Sequence, residues 1–459
     1  MPPKDLIEYH KKGSYPSHKG KVFGLLIVFG LFFAYGAYSL WMLWQEYGTQ
    51  VMNFLQTSGL PDLLTQSIWY IIGAAAGLIV LSAIMAIAAA AAARRLGGTL
   101  IYIGAAFMLI ITWSIPVMLI ATGAMTFSML LNSWPILIPG LITLVLFILM
   151  LTIFKDRVRR AGEIIKLTGQ VCLDEKGVFV PPLLTMVFTL VSALLWGAIL
   201  LQFTPDQVLM GTEELTIENG WPLGVGFILY LFLTIFFYNF AYSTSSAMTY
   251  IYMRGRDPSL GDGVKGSLSV IGGLIVLSIM SVIVAIIRLI IRAITRESGP
   301  GGRAVGSAAS GILGWVWMLV NYFTIPAMVA EELSATKGIK RSAGMVRKNF
   351  VDVMIKETAV RWGFLVLAIF IFLGFGIGGF VAGYALGQDI FVGFIFAILA
   401  IVFAGIPATL VLRTFDIVYV TLLYIFIRRK EGSVTGKTAI PSSMSKELDS
   451  AYQKAQKAE

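Results

Sequence analysis

The chain has 459 residues, 57% of them hydrophobic and only 13% charged, and a formal charge of +10. So little polar surface excludes a soluble globule of this size. Apolar runs of ~20 residues, the length that crosses ~30 Å of hydrocarbon, recur throughout and predict an all-α fold: a polytopic transmembrane helical bundle of about ten spans.

Five lysines (Lys4, Lys11, Lys12, Lys19 and Lys21) mark residues 1–21 as a cytoplasmic tail ahead of a first span at about 22–44. That span is too long for a signal-peptide core and has no small-residue cleavage site, so it is expected to be retained. The following loop, 45–67, has no Lys or Arg and reads as external. Span 2 (about 68–93) returns to Arg94 and Arg95, span 3 (about 99–125) leads out again, and span 4 (about 134–154) delivers the chain to Lys155, Arg157, Arg159 and Arg160. The positive-inside rule is obeyed at each step. The basic balance therefore reports topology and gives no reason to expect nucleic acid.

Residues 158–176 place Ile164, Ile165, Leu167 and Val171 among Arg159, Glu163 and Lys166, the pattern of an amphipathic helix lying in the cytoplasmic interface. Pro181 and Pro182 open span 5 (about 179–203), as a first helical turn tolerates. The loop 204–222 holds Asp206, Glu213, Glu214 and Glu218 and reads as external. Span 6 (about 224–252) is rich in Tyr and Ser and ends at Arg254 and Arg256. Span 7 (about 267–287) continues into Arg288, Arg292 and Arg296. Either spans 7 and 8 both cross, with the Gly-rich turn 299–302 between them, or both turn back; two crossings is the preferred reading. Span 8 (about 307–329) contains Trp315, Trp317 and Asn321, breaks at Pro326 and runs into a second amphipathic cytoplasmic segment near 334–350. Span 9 (about 351–383) begins with Asp352, Lys356, Glu357 and Arg361, which could pair or gate within the span but whose position after a basic loop favours an interfacial helix. Span 10 (about 391–426) carries Pro407, Arg413 and Asp416 and ends at Arg428, Arg429 and Lys430. The transmembrane domain is thus 22–430, followed by a cytoplasmic tail, 431–459, which puts both termini inside.

Enzyme chemistry has no foothold in this pattern. His10 and His18 are the only histidines and lie before the first span. No HExxH, GxSxG or GxxxxGK[ST] motif occurs, and Cys172 is the single cysteine, so neither an intramolecular disulfide nor a thiolate metal cluster can form. No cofactor is expected, and membrane lipids are the default partner. The informative residues are the ionisable and aromatic ones inside spans, which are costly in hydrocarbon and mark a cavity or a pairing. Arg413 and Asp416, three residues apart, can neutralise each other or serve as a gate or coupling site. Tyr230, Tyr238 and Tyr242 form one aromatic stripe on span 6, beside Asn239. Trp315, Trp317, Asn321 and Tyr322 form a second set on span 8, and aromatic faces attract ammonium groups. Packing and interfacial anchoring are the stronger account of any one such aromatic.

Four stretches carry a family resemblance: RVRRAGEIIKLTGQV followed by VPPLLTMVFTLV at 157–191, GSLSVIGGLIVLSIMSVIVAIIRLIIR at 266–292, NYFTIPAM with KRSAGMVRKNF at 321–350, and TLLYIFIRRKEGS at 421–433. In their order and spacing they resemble the choline transporter-like family of multi-spanning proteins. RGRDPSLGDGVKGS at 254–267 and TIPAMVAEELSATKGIKRS at 324–342 resemble, in addition, an uncharacterised prokaryotic membrane-protein family over about 155–430. The first resemblance implies a multi-pass cell-membrane transporter of a small amine, choline or ethanolamine in type. Tyr238, Tyr242, Trp317 and Asn321 would line its substrate cavity, and Arg413 with Asp416 would form a gate or coupling site. The alternative is a non-transporting scaffold whose basic segments bind lipid headgroups or a partner. A polar cavity reaching mid-membrane would favour the transporter, and solidly packed spans the scaffold.

Overall fold

The computed structural model describes residues 18–57, 68–204, 217–296 and 299–430. The expected tails 1–17 and 431–459, the loop 58–67 and most of the acidic loop, 205–216, lie outside the described residues. Within them are sixteen α-helices and no strand: α1 (Lys19–Thr57), α2 (Ile68–Leu96), α3 (Gly98–Ala121), the short α4 (Phe127–Asn132), α5 (Ile138–Leu151), α6 (Lys155–Asp174), α7 (Val180–Phe203), α8 (Ile217–Met253), α9 (Leu260–Ser269), α10 (Ile271–Arg296), α11 (Gly299–Asn321), α12 (Thr324–Glu331), α13 (Ala335–Lys348), α14 (Phe350–Ile355), α15 (Arg361–Gly387) and α16 (Ile390–Lys430). Nine stretches among the described residues are long and apolar enough to cross a membrane. The expected second span is the one outside that count. It is a continuous 29-residue helix, and the side chains of residues 68–80 are not among those described. The chain is a polytopic helical membrane protein.

The second half of α16 is the axis of the bundle. From Leu410 to Arg428 it is almost wholly buried, packed by α2, α6, α8, α12 and α15. Phe415 meets Phe364 edge-on, with ring centroids 5.4 Å apart. The first half of α16 is the opposite: Ile390, Phe391, Phe394, Ile398 and Val402 are all exposed, as are Phe23, Leu26 and Leu31 on α1. Surfaces this apolar suit lipid rather than water. Because lipid is as apolar as leucine, helices in it associate through close packing at small residues. One such crossing, tight against backbone, is α3 on α15, where a Cβ built on Gly104 would lie 2.4 Å from the Gly363 backbone nitrogen.

The amphipathic segment expected at 158–176 forms α6, and its apolar face packs into the core. Val158, Ile164, Ile165, Leu167, Val171 and Cys172 of α6 are buried against α2 and α16. Gly162 and Gly169 allow this, since a Cβ on either would meet backbone of the α2–α3 corner within 2.6 Å. The apolar face that looks lipid-directed in sequence is thus covered by protein. The second amphipathic segment, α13, likewise buries Gly338, Ser342, Met345 and Val346.

Where α6 ends, Glu175 faces Asp257 and Asp174, and Tyr252 donates to Asp174 Oδ2 at 2.5 Å. Burial, then the two neighbouring carboxylates, push Glu175 up from an ordinary 4.5 to about 7. The native protein therefore keeps this proton where the unfolded chain has released it. Stability from this group is present below pH 4.5 and is lost as pH rises through about 7. Thermal unfolding of Glu175→Gln in detergent should accordingly show a flatter pH dependence between pH 5 and 8 than wild type. Parallel curves would contradict this.

α10 and α11 form an antiparallel hairpin. Arg288 Nε donates to the Ser310 carbonyl and Arg303 Nε to the Arg296 carbonyl, both at 3.0 Å. Gly299 turns the chain with φ 74°, in the left-handed region that glycine enters at no steric cost. Both helices are long and apolar enough to cross.

Candidate functional site

The break in span 8 lies between Asn321 and Thr324, just before Pro326 rather than at it. A proline ring clashes with the carbonyl four residues earlier and lacks the N–H that would bond to it; here that carbonyl belongs to Tyr322. Pro326 then sits in the first turn of α12. The freed Phe323 N–H donates to Ser342 Oγ on α13 at 2.8 Å, so the amphipathic segment after the span caps the break. Asn321 folds onto the same feature, its Nδ2 donating to the Trp317 carbonyl at 3.1 Å and its Oδ1 accepting from Thr324 Oγ1 at 3.3 Å.

A second irregularity faces this one. Between α14 and α15 the backbone widens into a π turn, Lys356–Val360, a distortion that recurs at functional sites. It carries Lys356, 2% exposed, towards α16. The Lys356 ammonium bonds Glu357 Oε1 at 2.7 Å and also bonds Asp416 Oδ1. It stands 5.4 Å from the centre of the Tyr322 ring, within cation–π range. Arg361 Nη1 reaches the other Glu357 oxygen at 3.3 Å.

Between these elements lies a cavity of about 880 Å³. The four expected lining residues and both members of the expected gate line it: Tyr238 and Tyr242 from α8, Trp317 and Asn321 from α11, and Arg413 and Asp416 from α16. Lys356, Glu357 and Arg361 complete its charged wall, with Leu277 and Ser281 of α10 opposite. Along α16, twelve residues separate Asp416 from Arg428 at the basic end, ~18 Å at 1.5 Å per residue. The charged wall thus lies well inside the helix, away from its basic end.

Two sequence expectations are corrected here. Arg413 and Asp416 do not pair. Asp416 is taken by Lys356, while the Arg413 guanidinium lies 5.7 Å over the Tyr238 ring. Nor is the start of span 9 an interfacial helix, because the π turn buries Lys356 in the cavity wall. Asp352 alone of that group faces the basic end, bridging to Arg157 at 3.3 Å and Arg160 at 3.8 Å. The aromatic sets also divide. Tyr230 stacks on Trp196 and Trp315 is exposed, so neither joins Tyr238, Tyr242 and Trp317. Asn239 lines the cavity with its amide donating to Ser278 Oγ at 3.0 Å.

Below the cavity, at the basic end, Glu331 closes the bundle. It forms ion pairs with Arg428 Nε at 2.8 Å and Arg341 Nε at 3.4 Å and accepts from the Tyr424 hydroxyl. Arg428 is 1% exposed, so this pairing ties α12, α13 and α16 together beneath the cavity floor. Among the described residues, no three His, Cys, Asp or Glu side chains are grouped so as to hold a metal ion.

Fold and site together define a multi-spanning helical membrane protein with a charged, aromatic-walled cavity at a broken helix. Compared with protein families, residues 223–436 match a family of unknown function, DUF6159. The match spans just under half of the chain and includes every residue that lines the cavity. No curated protein matches.

Proposed function

We propose that this protein is a multi-pass transporter in the cell membrane, resembling choline transporter-like proteins, that moves a small amine of the choline or ethanolamine type. The observation that carries this reading is the cavity. It is large enough for a small solute, its charged wall lies away from the basic end, and it is walled by a discontinuous helix, as transporter sites commonly are. A scaffold would have no need of such a space in its middle.

Its chemistry suits an amine. The Lys356 ammonium is already held by two carboxylates over a tyrosine ring. A solute ammonium would meet the same chemistry at Asp416, whose side chain is 42% exposed, and at the faces of Trp317 and Tyr242. Lys356 would compete with it for Asp416, so that the gate opens by exchanging an internal cation for the solute.

The test is uptake of radiolabelled choline and ethanolamine into proteoliposomes. Wild-type protein should exceed empty vesicles, and Trp317→Ala should lower uptake of the bound amine about tenfold, the loss of one desolvated cation–π contact. Uptake no greater than in empty vesicles, with Trp317→Ala no different, would sink the assignment.

A further inference from the structure

The charges around the cavity do not balance. Lys356, Arg361 and Arg413 stand against Glu357 and Asp416, three cations to two carboxylates. Their pairing is also uneven: Lys356 takes both carboxylates, and Arg361 shares Glu357. Arg413 meets no carboxylate among the described residues, and its guanidinium lies over the Tyr238 ring. Fifteen residues of α16 separate it from Arg428, ~22 Å at 1.5 Å per residue. No arginine side chain can snorkel that far to the basic interface. An intramembrane cation of this kind calls for a partner, and the cavity it lines is where one can come from.

A bare cation such as choline would worsen the imbalance, taking the surplus from one positive charge to two. An anionic group on the same solute prevents this. We infer that the solute is a zwitterion, an amine that also bears a carboxylate, with Arg413 as the carboxylate subsite and Asp416 and Trp317 as the amine subsite. Arg413 and Asp416 are three residues apart on α16, hence on one face with Cβ atoms about 5–6 Å apart, so one small solute can reach both side chains. The planar guanidinium fork fits a carboxylate in two parallel bonds. A phosphate monoester fits less well, since it brings a charge of about −1.5 to −2 to a single open guanidinium.

The inference rests on the solute-cavity reading above and narrows its amine to one that also carries a carboxylate, with choline and ethanolamine the weaker-binding members of each matched pair below. Glycine betaine and choline share a trimethylammonium group and differ in a carboxylate against a hydroxymethyl; glycine and ethanolamine are the same pair for a primary amine. Calorimetry on the full chain in lipid nanodiscs should show the carboxylate member of at least one pair binding about tenfold more tightly. Arg413→Gln should weaken that member by a similar factor and leave its partner within about twofold, with Arg413→Lys keeping part of the preference. Equal or tighter binding of choline and ethanolamine by wild type would overturn the inference and leave the amine reading standing. So would an Arg413→Gln variant that weakens both members equally, the mark of a merely structural wall. Failure of all four probes to bind would overturn both readings.

Discussion

Lys356→Met is expected to cost about 3 kcal/mol of stability, the lower end of what breaking a buried ion pair from one side costs. The reason is what remains: among the described residues Glu357, 11% exposed, keeps Arg361 as its only cation, and Asp416 keeps no cation. Asp416→Asn should cost far less, about 1 kcal/mol, because Asp416 is partly solvated and Lys356 still has Glu357. Adding Glu357→Gln to Lys356→Met should recover part of the loss, since removing both members of a buried pair is gentler than removing one. Denaturant titration in mixed micelles, followed by tryptophan fluorescence, reads all three. Equal costs for Lys356→Met and Asp416→Asn would mean that the lysine is not the hub of the wall.

Gly104→Leu is expected to be the most damaging substitution outside the cavity. Even a Cβ at that position would lie 2.4 Å from the Gly363 nitrogen and 2.6 Å from the Trp362 carbonyl carbon. The obstacle is backbone, so no rotamer change relieves it. Overpacking costs of about 1–3 kcal/mol in compliant cores should be met or exceeded. Since α3 also packs on the π turn, parting α3 from α15 would displace Lys356 as well. Gly378→Leu on the same helix α15 has nothing within 4 Å, and should stay within about 0.5 kcal/mol of wild type. Comparable losses for the two variants would show that the crossing is not close-packed.

The helices and most of the cavity wall were legible from sequence for one reason. Charged, amide and aromatic groups within a span are expensive in lipid, so Tyr238, Asn321, Arg413 and Asp416 stand out against their surroundings. What they touch was not legible. Three-residue spacing put Arg413 beside Asp416 on one helix, but a lysine sixty residues away holds Asp416, and sequence spacing carries no information on that contact. Lys356 and Glu357 were hidden because they follow a basic segment and look interfacial; only the π turn, which no residue pattern announces, carries Lys356 inward. Pro326 flagged the break but not its position, which follows from the carbonyl four residues back. The burial of α6 was missed because an apolar stripe reads alike whether lipid or protein covers it.

The central claim is that water and solute reach a cavity in the middle of the bundle, and thiol labelling of Ser281→Cys tests it most directly. Ser281 lines the cavity from α10. Ile283, two residues on and 51% exposed, does not line it and faces outward. The native Cys172 is buried, and burial pushes its thiol far above the ordinary range, so it gives a silent background. A membrane-impermeant thiol reagent should modify Ser281→Cys in proteoliposomes, and a bound amine should slow the reaction. Ile283→Cys, in lipid, should stay unmodified. If Ser281→Cys reacts only after denaturation, the cavity is closed to water and the transport reading is wrong.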